Sequence, residues 1–139
     1  MHERQKLLDA LERALVDAGV TIVPAVDAVQ EEDLPCVVIE EREEQMREFD
    51  AAISRPATAL RRRLRVAIFA FGHTRVERDD LARTVEERAV PAAWGVNFKT
   101  ALVGVGFSRT RVGTSAAAFA AGQFYDAEYM TPTYAPASQ

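Results

Sequence analysis

The sequence predicts an α+β fold: two helices packed on one face of a mostly antiparallel sheet of about four to five strands. Three observations carry this reading. In the stretch Ala59–Gly72, ALRRRLRVAIFAFG, residues 60–66 alternate with period two, as a strand with one buried face does, before both faces turn apolar. Residues 2–18 and 75–90 instead repeat their apolar side chains at helical spacing. Finally, Val96–Val112 and Ala117–Met130 are two extended runs separated by small residues, which completes a sheet too wide for one helix to cover.

In chain order, residues 2–18 place Leu8, Leu11, Leu15 and Ala18 on one stripe, widened by Leu7 and Ala14. Gly19 stands where a left-handed cap is wanted, with Val20 as its apolar contact. Val20–Pro24 is short and extended, and Ala25–Pro35 is a loop holding Glu31, Glu32 and Asp33. Cys36–Glu41 is a β-branched strand that continues into Arg42–Phe49 with charges on both faces. Ser54–Thr58 is a turn, because Pro56 interrupts strand pairing there. After the long strand, Thr74 and Glu77 fit a capping box, and Leu81, Val85 and Ala89 form a buried stripe. Pro91 is expected to end that helix, and Trp94-Gly95 to be a connector. In Val96–Val112, Ala101, Val103, Val105 and Phe107 are expected on one face, continuing into Arg109 and Arg111, with Gly104 and Gly106 opposite. Gly113–Ala118 is a small-residue turn, and Phe119, Tyr125, Ala127 and Tyr129 share one face of the last strand. Residues 1–130 read as one domain, and 131–139, uncharged with two prolines, as a tail.

At 139 residues the chain can bury a core without disulfide or metal. Its 17 basic and 21 acidic residues give no global drive toward nucleic acid or anionic lipid. The lone Cys36 cannot form an intrachain disulfide, and its apolar neighbours mark it as a small buried hydrophobe. The amphipathic N-terminal segment is no apolar leader, and no apolar run approaches the length of a membrane span, so synthesis in the cytoplasm is expected.

Catalytic patterns are not apparent. His2 and His73, with Cys36, lack metal-ligand spacing, and a His73–Cys36 pair has no third orienting group. Gly104-Val105-Gly106 is followed by neither the last glycine of a dinucleotide loop nor a helix. The acidic segment lacks the calcium-loop spacing. We therefore expect no enzyme activity, cofactor or metal.

What remains is surface. Arg61, Arg63 and Arg65 share one face of the long strand while Arg62 points the other way, and no aromatic residues interleave them, which disfavours nucleic-acid binding. Between Glu31 and Asp50, nine acidic residues stand against Arg42 and Arg47. The basic strip and the acidic segment, with Glu40, Glu41, Glu43 and Glu44, can pair across neighbouring strands or between subunits. From Val66 to Phe71 both strand faces are apolar. Two helices cover one, so Ala67, Phe69 and Phe71 on the other call for a further cover, a partner or else a loop of the chain itself, and an apolar patch of that size favours the partner.

In element order and length the chain resembles the tail terminator, or tail completion, proteins of long-tailed bacteriophages and phage-like gene transfer particles. The likeness runs through KLLDALERAL, LPCVVIEE, RRRLRVAIFAFG, RDDLARTVEERA and AEYMTP. It implies a non-enzymatic protein that forms a hexameric ring on the last ring of the tail tube. Such a ring ends tube polymerisation and offers the surface that joins the head connector. Its partners would be further copies of itself, the tube protein and the connector, with DNA able to pass through the lumen without sequence-specific binding. The protein would be made in the host cytoplasm and incorporated into the particle tail. A neighbouring protomer or adjoining ring would then cover Ala67, Phe69 and Phe71. The alternatives are another head–tail connector or minor virion subunit, or a small cytoplasmic α+β enzyme or ligand-binding regulator with a site near His73.

Overall fold

A computed structural model describes residues 3–48, 59–95, 99–112 and 116–132. It shows the expected α+β layer. The elements are α1 (Glu3–Asp17), β1 (Thr21–Ile22), β2 (Cys36–Glu48), β3 (Ala59–Gly72), α2 (Arg75–Thr84), α3 (Val90–Trp94), β4 (Lys99–Val112) and β5 (Ala116–Pro132). Single 3-10 turns lie at Val26–Ala28 and Glu31–Asp33. The sheet order is β1-β2-β3-β5-β4, with β1 parallel to β2 and every other pairing antiparallel. The expected turn at Ser54–Thr58 and residues 113–115 of the one expected at Gly113–Ala118 lie outside the described residues, as do 133–139, whereas Ala116–Ala118 are not turn but the start of β5. Thr131 and Pro132, expected in the tail, extend β5 instead.

The helix ends follow from local chemistry. Gly19 sits at φ +79°, and the Val20 N–H reaches the Leu15 carbonyl while the Gly19 N–H reaches that of Val16. These two bonds satisfy carbonyls that the helix end leaves open. At α2, the Thr74 hydroxyl accepts the Glu77 N–H at 3.1 Å. The Glu77 carboxylate turns back one residue further than a simple box, accepting the His73 backbone N–H at 2.7 Å and contacting its ring at 2.9 Å. The His73 N–H, with its ring, holds the Glu77 carboxyl below its usual range.

Pro91 does not end the helix. Val85–Ala89 widens into a π turn, and α3 carries Pro91 in its first turn with Val90 at helical φ −63° and ψ −47°. A proline ring clashes with the carbonyl four residues back in a regular α-helix, and the wider turn just before it relieves that demand. Continuing the helix makes Trp94 its last residue rather than a connector. Trp94 is fully buried, donates its indole N–H to the Leu7 carbonyl at 2.8 Å, and meets Tyr125 edge to face at 6.0 Å.

The main core lies between the helices and one sheet face. Leu7, Leu11 and Leu15 of α1 pack with Val85, Ala89 and Trp94 against Leu64, Val66 and Ile68 of β3 and Tyr125 and Ala127 of β5. Within it, Gln123 donates to the Ala82 carbonyl at 2.8 Å and accepts the Tyr125 hydroxyl at 2.7 Å, so this buried amide is satisfied.

A second cluster covers the lower part of the opposite face. Val23, Val29 and Leu34 fold back over Cys36, Val38, Phe71, Ala118 and Ala120. This corrects the expectation that Ala67, Phe69 and Phe71 lack cover within the chain. Phe71 is buried under the 23–34 segment, Ala67 is fully buried, and Phe69 is half-buried. The loop between β1 and β2 carries enough apolar residues to supply that cover.

Two bulges reset the faces. In β2, pairing shifts between Glu41 and Glu43, so Glu41 and Glu44 both point to the helix side, whereas Glu40 and Glu43 point away. In β4, pairing shifts between Leu102 and Gly104. Leu102, Val105, Phe107 and Arg109 then share the helix side, opposite Tyr125, Gln123, Ala121 and Phe119, while Ala101 joins Gly104 and Gly106 on the other. The expectation of Ala101 beside Val105 and Phe107 is corrected by that one inserted residue.

Candidate assembly surface

The basic strip of β3 pairs mainly with β5, not with the acidic segment. Arg65 makes a forked contact to Asp126 at 2.8 and 3.1 Å, and Arg63 reaches Glu128 at 2.8 Å. The Asp126 carboxylate holds the Arg65 guanidinium firmly charged, with Glu43 adding to the effect. Arg61 pairs through its backbone with Arg47 and Met130, and its side chain lies outside the described set. The acidic partners Asp126 and Glu128 stand in FYDAEYM, where their alternation with buried Tyr125, Ala127 and Tyr129 marked a charged face that sequence reading passed over.

Arg62 points to the helix side, as expected, and meets the acidic segment there. Glu44 accepts from Arg4 at 3.0 Å, from Arg62 at 3.2 Å and from the Tyr129 hydroxyl. Glu41 lies 3.8 Å from Arg4. Glu44 therefore ties α1, β2, β3 and β5 together at one end of the core. Burial and the Glu44 carboxylate push the Tyr129 hydroxyl well above its usual range. We expect Glu44→Gln to cost about 1–3 kcal/mol, because two guanidinium groups lose their shared charge partner at a nearly enclosed carboxylate. Urea unfolding followed by far-UV CD checks this, and an unchanged midpoint would refute the role given to Glu44.

On the opposite face, Glu40 pairs with Arg42 at 2.9 Å, and the Arg42 guanidinium lies over Phe69 and Phe124 at 5.4 and 5.9 Å. Phe69 and Phe124 meet edge to face at 6.1 Å. Glu43 is exposed beside Arg65. Of the residues first nominated as an interface, Arg63, Arg65, Glu40, Glu41 and Glu43 keep exposed or half-exposed side chains, whereas Ala67, Phe71 and Glu44 are committed within the subunit.

Cys36 and His73 do not form a reactive pair. Cys36 is fully buried, and burial with the nearby Asp33 carboxylate pushes its thiol up to about 11. His73 is exposed and engaged by Glu77. The raised thiol has a consequence for stability. Above about 9 the unfolded chain loses the Cys36 proton while the folded chain keeps it, so stability falls as pH rises from about 9 to about 11. The urea midpoint of wild type should drop over that window more than the midpoint of Cys36→Ala does. Equal drops would refute the assignment. Among the described residues, no group of three or more His, Cys, Asp or Glu side chains could hold a metal ion. No helix among them is long and apolar enough to cross a membrane.

Among the described residues, the largest apolar exposure is on β4. Leu102, Val103, Val105 and Phe107 are 38%, 48%, 45% and 65% exposed. β4 is an edge strand of 14 residues, and the helices reach only as far as Phe107 through Arg78, whose guanidinium lies 4.7 Å from the ring centre. Arg75 and Arg109 similarly lie over Phe119 at 5.4 and 5.3 Å. A long, exposed, apolar edge is a template for pairing with another chain. Nothing in the alternation of this strand reveals that it lies at the edge, because sheet order is set by the tertiary path of the chain. The chain matches no family model and no curated protein.

Proposed function

We propose that the chain is a structural subunit of a phage-type tail: a terminator that closes into a hexameric ring, caps the tail tube, ends its polymerisation and presents the head-joining surface. The observation that carries this reading is the exposed apolar strip of β4 along an open sheet edge. A subunit that works alone has reason to blunt such an edge with charge, proline or a covering element, whereas a subunit that assembles needs it open. The element order that resembles the terminators supplies the kind of assembly. The Cys36 burial and the His73–Glu77 engagement leave the rival site near His73 without a reactive thiol.

The ring would take copies of itself, the tube protein and the head connector as partners, with DNA passing through its lumen. Size-exclusion chromatography with light scattering should report a closed oligomer. Particles made without the protein should show tails of abnormal length that fail to join heads in negative stain. Tails of normal length joined to heads would overturn the proposal.

A further inference from the structure

Among the described residues the sheet has two open edges, and they differ in charge. β4 carries Lys99, Arg109 and Arg111 and no acidic residue. At the other end of the sheet, β1 pairs only with Cys36 and Val37, so among the described residues the outer edge of β2 is open from Val38 to Glu48. That run holds five glutamates against two arginines. The strand directions also match. β2, β3, β5 and β4 alternate, so β4 of one copy laid beside β2 of the next continues the antiparallel order without a break.

We infer that the subunits join head to tail by adding β4 of one copy to the open edge of β2 in the next, which runs one sheet across the subunit boundary. This rests on the ring reading above and names its contact. Backbone hydrogen bonding along both edges supplies the pairing. The apolar side chains of β4 lose water, and the opposite charges set orientation. A two-fold contact of β4 with β4 would set one acid-free edge against another, so their basic residues would meet no opposite charge. A contact between two different edges is heterologous and closes into a ring when the rotation allows.

The test uses two variants of the full chain whose changed residues all lie on the helix side of the joined sheet, Arg109→Glu with Arg111→Glu, and Glu41→Arg. Each alone should weaken association at least tenfold by light scattering across a dilution series. An equimolar mixture should restore assembly, because each reversed edge then meets a reversed partner and each native edge a native one. Restoration also shows that both variants are folded, and far-UV CD gives a second check. If the β2 variant assembles like wild type, or the mixture of folded variants does not recover, edge pairing is wrong while a wild-type oligomer keeps the ring reading intact. A wild type that stays monomeric at every concentration overturns both.

Discussion

Replacing Trp94 with alanine is expected to remove about 3–5 kcal/mol of stability. The indole is fully buried where α3, α1 and β5 meet, and three separate interactions end together. Its apolar surface leaves a cavity between Leu7 and Tyr125 that rigid neighbours cannot fill. The edge-to-face contact with Tyr125 at 6.0 Å is lost. The Leu7 carbonyl, which accepts the indole N–H at 2.8 Å, loses that side-chain donor. Globular domains hold about 5–15 kcal/mol in total, so this one change consumes a large part of the margin. Trp94 is the single tryptophan, so urea unfolding should be followed by far-UV CD rather than fluorescence. Trp94→Phe separates the contributions: it keeps most of the volume but not the donor, and should cost clearly less than alanine. A midpoint for Trp94→Ala equal to that of wild type would show that α3 is not anchored as described.

Trp94 also lies just past the point where local sequence rules cease to predict the fold. A proline in a helical pattern is ordinarily a stop, because the ring removes a donor and crowds the preceding turn. Nothing in VEERAVPAAW announces that a π turn will absorb the crowding, since such widening depends on what the extra turn can bury. The two bulges are of the same kind. A single inserted residue near Arg42 and another at Val103 invert every side chain beyond them, and strand alternation alone cannot locate the slip. By contrast, the Gly19 cap, the Thr74 cap, the leucine stripe of α1 and the opposite orientation of Arg62 and Arg63 were legible, because each depends on neighbours a few residues away. The cover over Phe71 was not: Val23, Val29 and Leu34 are spaced irregularly, and only the tertiary path of their loop brings them onto one face. Local pattern singles out β3, whose arginines and apolar run are conspicuous, yet topology puts β3 inside the sheet and the most exposed apolar strand, β4, at its edge.

That placement can be tested without unfolding the subunit. Val105→Asp combined with Phe107→Asp should weaken self-association about 100-fold while leaving the fold largely intact. Both side chains are mainly solvated in the subunit, so charging them removes little packing. The chief intramolecular loss is the Arg78–Phe107 contact, worth about 0.5–1 kcal/mol at an exposed site. In an assembled edge the same two side chains would leave water, at roughly 1.5–3 kcal/mol for each fully buried side chain. Losing about 3 kcal/mol of association corresponds to the stated factor, since each 1.4 kcal/mol is tenfold. Val76→Asp and Val16→Asp are suitable controls. Those valines are 70% and 62% exposed, but they lie on helices rather than on the sheet edge. Charging them should leave association unchanged by sedimentation or light scattering. If all exposed apolar positions behave alike, general surface stickiness explains any oligomer. If only the β4 pair matters, the edge is where the subunits meet, because adding charge there leaves the sheet within each subunit paired as before.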